Sequence, residues 1–169
     1  MDFIELAEKR YSCRRYSDKP VGQEKIEKIL TAARAAPSAK NNQPCHVWVV
    51  KSKEGLEKMD ECSPCIYKAP VVLVVGYKPA SAWVREDGRN YGDIDASIMG
   101  THILLEAEEQ GLGSVWVGMF SPEKIHALFP ETAGFEITAL FPLGYKAESS
   151  VPIPWHFSRR AIKDFTTEL

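Results

Sequence analysis

The chain has 169 residues, 44% hydrophobic and 26% charged, with a formal net charge of -2, which suffices for one domain with a core that needs no disulfide or metal. The near-neutral charge argues against a nucleic-acid binder, whose footprint is a basic excess over a whole face. Asp2, Glu5 and Glu8 argue against a secretory signal, the apolar run Val71 to Val75 is too short to span a bilayer, and four cysteines are too few for a disulfide framework, so a cytoplasmic protein with reduced thiols is expected.

Phe3, Ile4, Leu6 and Ala7 share one face of a helix ending near Arg10, and Ile26, Ile29, Leu30 and Ala33 repeat the pattern in a second helix that stops before Pro37. Both are expected to be half-buried. Between them, Arg10-Tyr11-Ser12-Cys13-Arg14-Arg15-Tyr16 crowds three guanidiniums and hydroxyls into one short segment. In an extended backbone Arg10, Ser12 and Arg14 point to one side and can converge on one anion. Guanidinium forks match phosphate oxygens, and such charge-assisted bonds are roughly twice as strong as neutral ones. A solvated basic turn is the competing reading.

Pro37-Ser38-Ala39-Lys40-Asn41-Asn42-Gln43-Pro44 is a polar loop leading into a strand, Cys45 to Val50. Val71 to Val75, apolar on both sides, predicts a central strand covered on both faces, with Pro70 tolerated at its start. Pro79 to Asp95 has no clear periodicity and contains Trp83, Arg89 and Tyr91; it reads as a lid or a plain loop. Ile94 to Gln110 predicts a long helix, apolar nearly all round and stopped by Gly111, as in a core centre or a subunit interface. Asp93 and Asp95 at its start read as capping carboxylates. Ser114 to Val117 is a third strand, Ser121 and Pro122 open a short helix, and Glu136 to Phe141 is a fourth strand. The tail from Ser149 carries Trp155, His156, Phe157, Phe165 and the pair Arg159-Arg160, too aromatic for simple disorder, and is expected to dock. Without a repeat or a linker, residues 1–169 are expected to form a single domain.

Several motifs fail on inspection. Gly111-Leu112-Gly113-Ser114-Val115-Trp116 begins like a dinucleotide fingerprint but lacks its last glycine and precedes a strand instead of following one. No phosphate loop and no Gly-x-Ser-x-Gly elbow occurs, and His46, His102, His126 and His156 are scattered. Cys62-Ser63-Pro64-Cys65 has the spacing of redox thiols, but it precedes a strand and has no second pair to complete a zinc site. Loop cysteines are the plainer reading.

Four segments in register carry a resemblance across nearly the whole chain: Arg-x-Ser-x-Arg after the first helix, Pro-Ser-Ala-x-Asn-x-Gln-Pro, Gly-Leu-Gly-Ser-Val-Trp-Val-Gly, and the basic C-terminal tail. Together they resemble the nitroreductase family of FMN-dependent NAD(P)H oxidoreductases. The resemblance implies an α+β fold with a central mixed, mainly antiparallel sheet flanked by helices. It also implies a homodimer with FMN at the subunit interface, a C-terminal arm exchanged between the copies, and NADH or NADPH as electron donor to a small-molecule acceptor such as a nitroaromatic or quinone.

Carried over by position, Arg10 and Ser12 would hold the FMN phosphate with one or both of Arg159 and Arg160, Tyr11 would belong to the same cofactor site, and Arg14 would face the pyrimidine side of the flavin. Pro37, Ser38, Ala39, Asn41 and Gln43 would reach the flavin from the other subunit. Trp116, Val117, Gly118 and Met119 would line one ring face, with the Gly118 amide donating to flavin N5. No catalytic side chain and no metal is implied. Three departures stand out: residues 78 to 93 are too short for the helical insertion that covers the substrate pocket in many members, Ala39 replaces a common hydroxyl residue, and Asp95 is a carboxylate where an amide is frequent. A flavin-binding sensor or carrier acting through Cys62 and Cys65, and dehalogenation or flavin fragmentation on the same scaffold, are the alternatives.

Overall fold

The computed structural model describes residues 2–169. In chain order it contains α1 (Phe3–Lys9), α2 (Gln23–Arg34), β1 (Cys45–Val50), α3 (Lys53–Cys62), β2 (Val71–Tyr77), α4 (Gly92–Glu109), β3 (Gly113–Ser114), α5 (Pro122–Leu128) and β4 (Glu136–Gly144). The sheet order is β1-β2-β4-β3, and each neighbouring pair is antiparallel. One parallel bridge, Ser12 to Ser114, ties the arginine segment to the sheet edge.

β2 explains the architecture. Its side chains alternate, so Val71, Leu73 and Val75 enter a core under α2 and α4 with Ile26, Ile29, Ile103 and Phe141, while Val72 and Val74 enter a second core under α3 and α5 with Met59, Ile125 and Leu140. A strand sandwiched in this way must be apolar at every position, which is the pattern its sequence has.

The helix ends follow their local chemistry. Ser121 Oγ accepts from Lys124 N at 3.2 Å with Pro122 at the first turn, and Gly111 takes φ 72° just past α4, a conformation that disfavours a side chain.

Three expectations need correction, and one helix stands where no element was predicted. The third strand is only Gly113–Ser114; Val117 rejoins the sheet as an isolated bridge to Leu140, because Trp116 leaves the ladder to set its ring 5.0 Å from that of Phe141, beside Gly100 of α4. Lys53–Cys62 is a helix, capped by Ser52 Oγ on Gly55 N at 3.1 Å. α1 has no buried residue, and Phe3 and Ile4 are 63% and 62% exposed, so its apolar face meets solvent in a single copy. Finally, Asp93 and Asp95 do lie in the first turn of α4, but neither caps it; Asn90 Oδ1 takes the Gly92 amide at 2.8 Å, and both carboxylates bond elsewhere. Among the described residues no helix is long and apolar enough to cross a membrane.

Candidate functional site

The arginine segment runs as an extended strip. Tyr11 and Cys13 turn inward, while Arg10 and Ser12 are half-buried and Arg14 is exposed on the outer side. The strip is held by Cys13 N on Ser114 O at 3.0 Å and by Tyr16, whose hydroxyl donates to Cys13 O and Pro142 O at 2.8 and 3.1 Å. Tyr11 donates to Ser150 at 3.0 Å, which brings the tail onto the strip, and His156 stands edge-on to the Tyr11 ring at 6.3 Å.

Arg10, Ser12, Arg14, Trp155, His156 and Arg159 thereby line a pocket of about 180 Å³. Burial pulls the Arg10 guanidinium below its usual value, the Glu108 carboxylate opposes that pull, and the like charge of Arg159 adds to it. Two guanidiniums from opposite ends of the chain are thus held together against their own repulsion, an arrangement that an anion would stabilise. Arg160 is elsewhere, with its guanidinium 5.8 Å from the Phe165 ring centroid. The cationic pair forms within one chain, where a pairing of two copies was expected. The docked part of the tail ends there: Trp155 and Phe157 remain 81% and 72% exposed.

Under the strip, Glu108 takes Lys146 Nζ on both carboxylate oxygens at 2.7 and 2.6 Å, and Lys146 lies 4.7 Å from the Tyr11 ring centroid. The sequence reading missed this support. Glu106, Glu108 and Glu109 all stand in the last turn of α4, and nothing local in the sequence singles out Glu108.

The polar loop lies at the other end of α4. Asp95 Oδ1 accepts from Ala39 N at 2.9 Å, Ser38 Oγ accepts from Gln43 N at 3.0 Å, and Lys40, Asn41 and Gln43 all adopt positive φ between 50° and 56°. Such backbone is costly for non-glycine residues and persists only where surrounding contacts impose it. Pro37, Ser38, Gln43, Cys45 and Asp95 line a second pocket of about 260 Å³. Asp95 is 2% exposed, yet among the described residues its Oδ2 has no hydrogen-bond partner. Glu108 and Asp95 are separated by 13 positions of one helix, or about 20 Å. One chain therefore does not bring the arginine pocket and the polar loop to a common point.

Trp116, Gly118 and Met119 form an exposed strip beside the sheet, and no heavy atom lies within 4 Å of where a Gly118 Cβ would stand. Ser63 supports this strip from behind: its buried hydroxyl donates to Met119 O at 2.6 Å and accepts from Cys65 N at 3.0 Å. Cys62 is 4% exposed, and burial pushes its thiol up, the opposite of what a redox-active thiol requires. Among the described residues no group of three or more His, Cys, Asp or Glu is placed to hold a metal ion.

The family model described as the nitroreductase family matches residues 7–63 and 60–145. A provisionally named NADH dehydrogenase/NAD(P)H nitroreductase of Methanothermobacter thermautotrophicus is 37% identical over 161 residues, covering 88% of this chain and 80% of that protein. The crystal structure of a nitroreductase family protein from Clostridium difficile 630 superposes with a TM-score of 0.91 at 38% identity, covering 99% of this chain and 98% of the other. An FMN-dependent nitroreductase from Clostridium difficile R20291 gives a TM-score of 0.75 at 25% identity over 94% and 98% of the two chains. With the family model matching most of its length and relatives of this identity and coverage, the chain belongs to the nitroreductase family.

Proposed function

We propose that residues 1–169 form one FMN-binding domain of a homodimeric NAD(P)H oxidoreductase that reduces electron-poor acceptors such as nitroaromatics or quinones by alternating half-reactions. The observation that carries this reading is the half-buried Arg10 beside Arg159, in a pocket shared with Ser12 and Arg14. Three features fit the cofactor: a cationic pocket suited to a phosphate, an orphaned buried oxygen on Asp95, and an open backbone edge at Gly118 where a flat ring can lie.

When bound, FMN supplies the hydride-accepting N5 and stores the electrons between donor and acceptor. In this reading Arg10, Ser12 and Arg159 hold the phosphate. Arg14 would stand beside the pyrimidine side, where negative charge gathers on reduction. Trp116 to Met119 would line one ring face, with the Gly118 amide as a donor to it. Pro37, Ser38, Ala39, Asn41 and Gln43 come from the second copy, since they lie about 20 Å along α4 from the arginine pocket. No side chain is asked to move a proton; the protein's work is to position, tune and exclude water.

Purified protein should be yellow or take up added FMN, and NADH or NADPH should bleach it without oxygen. Arg10→Ala should lose the cofactor. A colourless protein that ignores FMN ends the proposal, and unchanged affinity in Arg10→Ala ends the phosphate assignment.

A further inference from the structure

We infer that the connection between β2 and α4, together with Lys40, binds the adenosine-phosphate half of the dinucleotide donor and favours NADPH over NADH. The inference rests on the proposed function and names how that site takes its electron donor.

The connection is a built surface. Val84 and Asn90 pair as a small hairpin, closed by Arg85 N on Arg89 O at 2.9 Å and by Gly88 N on Arg85 O at 2.8 Å. This fixes where Arg85 and Arg89 leave the backbone. Their guanidiniums each lie 5.7 Å from the Tyr91 ring centroid, and Tyr91 itself stands 4.7 Å from Trp83. The surface is joined to the polar loop by Asn42 Nδ2 on Ser81 O at 3.2 Å and by Lys40 Nζ, 5.7 Å from the Trp83 centroid. Lys40 belongs to the loop read as a flavin contact, so this patch borders the flavin.

The charges are not all committed. Arg85 forks onto Asp87 at 2.9 and 2.5 Å and reaches the Tyr91 hydroxyl at 3.0 Å, so its charge is answered. Asp87 takes the Arg89 backbone amide at 3.2 Å and feels the Arg89 charge without an ion-pair contact, its carboxylate being answered first by Arg85, and Asp93 is bonded by the Thr138 hydroxyl at 2.8 Å. Among the described residues Lys40 and Arg89 form no ion pair. Two cations without an ion-pair contact, set over an aromatic pair, suit a ligand with a flat base and several phosphates. Nitroaromatics and quinones carry no such anions, whereas NADH carries a pyrophosphate and NADPH one phosphate more. The extra anion gives the preference.

The test uses flavin-loaded protein with Lys40→Asn, in which asparagine tolerates the positive φ, and Arg89→Ala. Calorimetry with NADP⁺, NAD⁺ and nicotinamide mononucleotide measures binding without turnover, and kcat/KM is taken for NADPH and for reduced nicotinamide mononucleotide. The NADPH to mononucleotide ratio should fall on the order of tenfold in each variant, with a matching loss of NADP⁺ binding. A wild type that prefers NADH, or a ratio unmoved in both flavin-loaded variants, overturns this inference alone. Protein that holds no FMN overturns the functional reading beneath it.

Discussion

Replacing Glu108 tests whether the arginine strip rests on a buried ion pair. The Glu108 side chain is 3% exposed and that of Lys146 is 23% exposed, with two contacts of 2.7 and 2.6 Å between them. Removing one partner of a buried pair costs about 3–5 kcal/mol, because the survivor stays desolvated without its counter-charge. Lys146 retains some access to water and Glu108 has almost none, so the two halves should differ. Glu108→Gln belongs at the lower end, about 3 kcal/mol, and Lys146→Met, which strands the carboxylate, at the upper end, about 5 kcal/mol. The double variant removes both charges and should recover most of the loss, ending within about 1 kcal/mol of the parent. Urea unfolding gives these numbers, and each kcal/mol corresponds to about 2–4 °C in Tm for a chain of this size. Glu108 also opposes the loss of charge on Arg10, so phosphate should restore more stability to Glu108→Gln than to the parent. Single variants costing under about 1 kcal/mol, as an exposed pair would, or a strictly additive double variant, refute the reasoning.

Ser63→Ala leaves the Met119 carbonyl and the Cys65 amide without their partner, so it should cost about 1–3 kcal/mol. Amide exchange over 116–121 should quicken while β2 keeps its protection, and unchanged exchange there contradicts the support role. Burial, and after it the Asp95 carboxylate, push the Cys45 thiol up to about 12 from an ordinary value of 9.0. The stability tied to that shift is fully present below pH 9 and is lost as pH rises towards 12. Iodoacetamide at pH 8.5 should therefore label Cys45 in the folded protein on the order of a hundredfold more slowly than a free thiol; labelling at the free-thiol rate refutes the assignment.

Legibility in the sequence followed the scale of the forces. β2 could be read because burial on both faces demands apolar residues at every position, and Arg10, Ser12 and Arg14 because the alternation of an extended segment fixes their side. α3 carries few apolar residues, so its periodicity is faint although Ser52 marks its start. Trp116 is a good strand former that leaves the ladder for a packing partner on α4, which no local pattern records. Asp95 resembles a cap in sequence; its bond to Ala39 spans 56 positions and depends on where α4 meets the polar loop. The choice between Arg159 and Arg160 likewise depends on how the tail turns after Tyr11 engages Ser150.

The length of α4 supplies a test of the proposed shared site. Arg10 and the polar loop are held near opposite ends of α4, and Phe3, Ile4, Trp155 and Phe157 leave apolar surface uncovered in one copy. Two-fold pairing would place the loop of each copy against the arginine pocket of the other and bury such surface. Each site then takes Arg10 from one chain and Ser38 and Asn41 from its partner. Arg10→Ala and the pair Ser38→Ala, Asn41→Ala should each abolish tight FMN binding in pure form. When the two variants are unfolded together and refolded as a mixture, random pairing makes about half the dimers mixed, and each mixed dimer has one intact site and one doubly damaged site. Flavin binding should return at about a quarter of all sites. If all contacts came from one chain, mixing would restore nothing, and that result would rule out the crossed arrangement even if the protein is a dimer.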